Sequence, residues 1–171
     1  GHLCAVELAG GERVEADTAV LAVGHHARDT LQMLLEAGVP MQARPTAVGV
    51  RIEHRQGDVD RWMYGGAPTG DLPPASYRVV MRPTPGRPRP VYSFCMCPGG
   101  VVVAAPQREG LVVTNGMSGS RRSGKFANSG LVVPLELEDY GADDPLAGVR
   151  FLDALEARCF DAAGGGFRAP A

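Results

Sequence analysis

The sequence predicts an α+β fold: mostly antiparallel sheet, closed by one long helix near the C-terminal end. Three observations carry this. Short apolar or alternating runs recur between Gly and Pro breaks, as expected for strands joined by turns. Gly (23) and Pro (14) are abundant among the 171 residues, which disfavours a helical bundle. A single stretch, from Asp144-Pro145 to Gly164-Gly165-Gly166, carries a long helical stripe: Leu146, Val149, Leu152, Leu155 and Cys159.

The elements follow in order. Residues 3–8 read as a strand, Gly10-Gly11 as a turn and Arg13-Val14-Glu15 as the return. Thr18 to Val23 reads as a continuous apolar strand of the buried type, ended by Gly24. A helix is expected from Ala27 to Ala37, with Asp29 in its first turn, Leu31, Leu34 and Leu35 on its apolar face and Gly38 at its C-terminal end. Pro45 to His54 alternates, placing Val48, Val50 and Ile52 on one face and Arg51 and Glu53 on the other. One helical turn is expected over Val59 to Tyr64, a strand over Tyr77 to Arg82 and an exposed loop over Pro83 to Pro90. Val91 to Cys97 reads as a strand that turns at Pro98-Gly99-Gly100 and pairs with Val101 to Ala105. Leu111 to Thr114 and Leu131 to Leu137 read as further strands, and Asn115 to Ser129 as a long polar loop. Asp144 and Pro145 suit the start of the last helix.

Composition excludes some functions. The net charge of -2 gives no electrostatic case for nucleic acid or an anionic membrane. No apolar run approaches the roughly 18 residues of a membrane span. No signal peptide is visible, so the four cysteines read as reduced cytosolic thiols. The chain opens on Gly1 without Met and is expected to be an internal segment of a longer protein.

The candidate chemistry is sparse. Neither G-x-G-x-x-G nor a P-loop is present. Gly24, between a strand and a helix, suits close approach by a flat or anionic ligand; a plain strand-to-helix turn is the structural alternative. His25 and His26 are candidate acid/base groups or ligands, but adjacent histidines diverge, and no four-ligand metal pattern exists. Cys95 and Cys97, two apart on a strand, share a face. They read either as redox or nucleophilic thiols beside a cofactor, or as two small packed residues. The Asn115–Ser129 stretch, with Arg121, Arg122 and Lys125, reads as an anion-binding loop or a solvated one. Arg51, Glu53 and His54 read foremost as an exposed ion-pairing strand face.

Several segments together carry a family resemblance: Leu21-Ala-Val-Gly-His-His-Ala-Arg-Asp-Thr30, Val48-Gly-Val-Arg-Ile-Glu-His54, Tyr92-Ser-Phe-Cys-Met-Cys-Pro-Gly-Gly100, Thr114-Asn-Gly-Met-Ser118, Ala127-Asn-Ser129 and Pro145-Leu-Ala-Gly148, with Gly164-Gly-Gly and Ala169-Pro170 at the end. In these the chain resembles the middle of the bacterial, largely uncharacterised FAD-dependent dehydrogenases, of the NAD(P)/FAD oxidoreductase type. The resemblance implies an inserted domain of a two-dinucleotide-binding-type flavoprotein. It assigns residues 1–44 to part of an FAD-binding domain, 45–166 to the inserted substrate domain and 167–171 to the return. It implies FAD in the full-length parent, with the phosphate cradle outside this chain, and NAD(P)H as a candidate electron donor. The isolated chain is then expected to be colourless and inactive. Gly24, His25 and Arg28 are expected near the cofactor. Cys95 and Cys97 are expected near the flavin or substrate, and Asn115, Ser118, Arg121 and Asn128 around a small-molecule substrate. His26 departs from the small hydroxyl residue expected there. The partner expected is the rest of the same polypeptide, in the cytoplasm. The other classes considered are a domain of a flavin hydroxylase-like monooxygenase and a non-catalytic binding module.

Overall fold

The computed structural model describes residues 2–24, 26–66, 70–105, 108–141 and 143–170. The chain forms two compact units, Gly1–Val39 and Pro40–Ala171.

In the first unit, β1 (Ala5–Glu7) pairs antiparallel with β2 (Arg13–Glu15), so the expected hairpin is present. Helix α1 (Arg28–Glu36) follows, and Leu31, Leu34 and Leu35 are its half-buried residues of apolar type. The Asp29 carboxylate accepts the Thr30 N–H at 2.8 Å. The chain leaves the helix through left-handed Gly38 (φ 77°). Thr18 to Val23 forms no strand, contrary to the sequence expectation. Val20 is 86% exposed and Leu21 61%. A strand needs a partner for its peptide groups, and among the described residues none pairs with this segment.

The second unit is α+β as expected, and its main sheet is wholly antiparallel. The order is β3 (Thr46–Arg55), β8 (Phe126–Leu135), β5 (Val91–Cys97), β4 (Val80–Met81). A separate hairpin joins β6 (Gly100–Ala104) to β7 (Thr114–Ser118). Helix α2 (Gln56–Tyr64) begins directly after β3, longer than the single turn expected, and stops at left-handed Gly65. Helix α3 (Ala147–Ala162) is the long C-terminal helix. It starts two residues later than Pro145, after a turn in which the Asp144 carboxylate accepts the Leu146 N–H at 2.9 Å.

Val59 of α2, Ala75 and Ala127 form the buried apolar cluster, with Tyr64, Tyr77 and Met96 packed against it. The Gln56 side chain fixes the surrounding chain. It donates to the Ala75 carbonyl (3.0 Å) and the Asp60 carboxylate (2.8 Å), and accepts the Gly99 N–H (2.7 Å). Beyond β8, Arg89 makes a two-pronged bond to Asp139 (2.6 and 2.7 Å) and also donates to the Pro134 carbonyl.

Three expectations about this unit need correction. First, β5 does not pair with Val101 to Ala105. β8 lies along one edge and β4 covers the other at Val91 and Tyr92; the bulge at left-handed Cys95 interrupts the strand just before the turn, and β6 pairs with β7 instead. The turn relies on Gly99 (φ 56°), where a Cβ would collide with the Arg122 carbonyl. Second, Asn115 to Ser129 is not one long loop. β7 and β8 claim most of it, and only residues 119–125 turn between them. Its polar residues satisfy strand ladders and an internal hydrogen-bond cluster. Third, Tyr77 to Arg82 is strand only at Val80–Met81, and Leu111 to Val113 precede β7 rather than forming a strand. Among the described residues, no helix is long and apolar enough to cross a membrane.

Candidate functional site

The register of the main sheet builds the site. Arg51 faces Gly130 and Glu53 faces Asn128 across β3 and β8, so Arg51 and Asn128 are diagonal neighbours on one face. Cys97 of β5 faces Asn128 from the other side. The β6–β7 hairpin brings Asn115 and Gly116 to the same place.

Arg51 is the centre. Its Nη1 donates to the Asn128 Oδ1 at 2.6 Å and to the Cys95 carbonyl at 3.1 Å, and its Nη2 reaches the Asn115 Oδ1 at 3.5 Å. Asn115 Oδ1 also accepts the Gly116 N–H at 2.8 Å. All these acceptors are neutral, and among the described residues no carboxylate pairs with Arg51. Asn128 is 0% exposed, and its Nδ2 has no partner among the described residues. Gly116 abuts the cluster: a Cβ there would strike the Asn128 Oδ1, the Arg51 Nη1 and the Cys97 Sγ.

The two cysteines do not share a face as a regular pleat would have it. A bulge lies between Phe94 and Cys97, and Cys95 takes a left-handed backbone (φ 46°). One extra residue on β5 breaks the two-residue period. Cys95 is exposed and Cys97 half-buried, with the Cys97 thiol donating to the Cys95 carbonyl at 3.4 Å. Thus Cys97, rather than both thiols, joins the Arg51 cluster.

On the opposite face, Tyr77 Oη and His54 Nδ1 lie 3.4 Å apart. The His54 ring meets Trp62 and Tyr77 edge-on at 5.3 and 5.8 Å. Burial pushes the Tyr77 phenol above its ordinary value, partly offset by the Ser129 hydroxyl and the Arg51 charge. Ser129 is fully buried, its hydroxyl donating to the Phe94 and Gly130 carbonyls.

A cleft of about 370 Å³ opens between β3, the β6–β7 hairpin and α3. Arg51 and Thr114 line it with apolar groups that include Val102, Val112 and Leu155. Glu156, buried on α3, also borders it.

Of the residues singled out by sequence, Asn115, Asn128 and Cys97 are brought together, with Cys95 contributing its carbonyl. Ser118 sits nearby on β7 and donates to the Pro98 carbonyl at 2.7 Å. Arg121 stands exposed in the turn, outside the cluster. In the first unit Gly24 is left-handed (φ 75°), with open space where a Cβ would lie, and Arg28 is the half-buried first residue of α1. His25 lies outside the described residues. Sequence reasoning missed Arg51, reading it as an exposed ion-pairing face. The available signal was weak: a cation in mid-strand, directly between Val50 and Ile52.

The family described as FAD-dependent protein, C-terminal domain-like, matches residues 45–171. An uncharacterized protein of Clostridium beijerinckii (strain ATCC 51743 / NCIMB 8052) is 44% identical over 161 residues, covering 94% of this chain and 30% of the relative. The chain therefore spans about 30% of the length of that relative. With the family matched over its whole second half and beyond, this chain belongs to the FAD-dependent protein, C-terminal domain-like family.

Proposed function

We propose that this chain is the substrate-facing part of a longer FAD-dependent oxidoreductase, of the dehydrogenase type. The observation that carries the reading is the Arg51 cluster: a cation held by neutral oxygens beside a fully buried amide whose Nδ2 has no partner among the described residues. A buried polar group without a partner costs about 1–3 kcal/mol, and folded chains keep few of them, where strain, a catalytic role or a bound water or ion accounts for the group.

The residues present fit one wall of a flavin site and not the whole of it. Gly24, left-handed and unobstructed, would allow backbone approach by a flat ring, with Arg28 close in sequence at the start of α1. The pyrophosphate cradle would come from the rest of the polypeptide, because the sequence has no Gly-rich fingerprint. When bound, FAD supplies the two-electron chemistry.

This chain's own residues do the rest. Arg51 attracts and orients a negative group through donors that Asn128, Asn115 and the Cys95 carbonyl hold in place. Asn128 accepts from the Arg51 Nη1 in a fully buried position, where a hydrogen bond is stronger than in water, and so fixes the guanidinium. Cys97 places a polarizable thiol beside the guanidinium.

The test uses the full-length protein. Its visible spectrum should show bound flavin, and NAD(P)H, tried as donor, should bleach it without an aromatic co-substrate. A colourless preparation from flavin-replete cells would remove the reading.

A further inference from the structure

We infer that the cleft beside Arg51 binds a small apolar monocarboxylate, an acid with one carboxylate and a hydrocarbon body. The inference names the ligand class for the site proposed above and rests on that reading for its catalytic meaning. Binding itself needs no flavin.

Three features specify the ligand. The charge is set by Arg51, which lines the cleft and has no carboxylate partner among the described residues. Its guanidinium has five N–H donors, and the hydrogen bonds seen leave some for an incoming anion. A planar carboxylate matches that fork. The body is set by the walls: Val102, Val112, Val113 and Leu155 present hydrocarbon, with the Thr114 hydroxyl group the neutral polar exception. The size is set by the volume. About 370 Å³ lies at the lower end of small-molecule sites, which span roughly 300–1,000 Å³.

A fourth feature limits the ligand to a single charge. Among the described residues that line the cleft, Arg51 is the single cation. A second carboxylate on the ligand would lie against apolar walls with no cation to pair with, and a desolvated charge without a partner is costly. Dicarboxylates are therefore disfavoured, as are neutral amides, which forgo the charge on Arg51.

The experiment titrates the 171-residue chain with hexanoate, hexanamide and adipate, following the methyl signals of Val102, Val112 and Leu155 by NMR. Hexanoate should shift these signals saturably. Hexanamide and adipate should each bind about tenfold more weakly or worse, the scale of one lost charge-assisted contact. Arg51→Gln should remove the preference for hexanoate over hexanamide. Because Arg51 also bonds Asn128, that variant risks misfolding, so Leu155→Trp serves beside it: it should block all three ligands while leaving Arg51 intact. Equal binding of hexanoate and hexanamide would overturn the inference. So would equal binding of adipate, shifts confined to methyl groups away from the cleft, or no binding up to about 10 mM, beyond the weak millimolar range. None of these results bears on whether the longer protein holds flavin, which its absorption reports separately.

Discussion

Gly116 has no side chain because three groups already occupy the space: the Asn128 amide oxygen, the Arg51 guanidinium and the Cys97 sulfur. Gly116→Ala forces at least one of them to move. We expect a loss of about 1–3 kcal/mol, the usual cost of overpacking a filled site, with the urea midpoint reporting it. Asp139 makes a different residue-scale prediction. The Arg89 hydrogen bond first, then the Glu136 N–H, hold its carboxyl below the ordinary value, with burial opposing. A lowered native pKa means stability that is present above the unfolded value, about 3.9, and is lost as the pH falls through the native one. The stability difference between the protein and its Asp139→Asn variant should therefore be constant near neutrality and shrink only in acid. A difference that changed around pH 7 would contradict this assignment. The residue scale was also the least legible in the sequence. Asn115, Asn128 and Cys97 were picked out by residue type, but Arg51 was not. Its role depends on what the register places diagonally across β8, and local sequence does not contain that pairing.

At the scale of elements, Gln56 shows how one side chain can hold three segments. It joins the start of α2 to Ala75 and to the Gly99 turn, through three hydrogen bonds. Gln56→Ala strands the Ala75 carbonyl and the Gly99 N–H together. At about 1–3 kcal/mol for each buried orphan, a combined loss of roughly 2–6 kcal/mol is expected, and differential scanning calorimetry would measure it. An effect well below 1 kcal/mol would mean that water replaces the side chain. Local pattern revealed the elements whose own residues carry a clear period or turn: the β1–β2 hairpin, α1 with its Gly38 exit, β3 and the α3 stripe. Pattern failed where the outcome depends on which strands pair. β5 ends at a turn that invites a hairpin, yet a bulge at Cys95 interrupts it there and β6 pairs with β7. The polar run after Thr114 became strand with Asn115 and Asn128 accepting from Arg51, a long-range pairing that hydrophobic periodicity does not detect.

At the scale of the whole molecule, the apolar stretch from Thr18 to Val23 and the cation at Arg51 pose the same question. Val20, Leu21 and Val23 are exposed although their sequence reads as buried strand, and a relative at 44% identity is several times longer than this chain. Both facts bear on the proposal that this chain is part of a longer flavoprotein. The sequence carried the family and the α+β class, because many short motifs in order specify a family even where each alone is weak. The most direct measurement is the rate of flavin reduction in the full-length protein with and without Arg51→Gln, each with its flavin content determined by absorbance. The account predicts that both forms retain flavin and that the variant is reduced at least about tenfold more slowly at subsaturating substrate, the cost of losing one charge-assisted contact. A flavin-loaded variant reduced at the unmodified rate would contradict it.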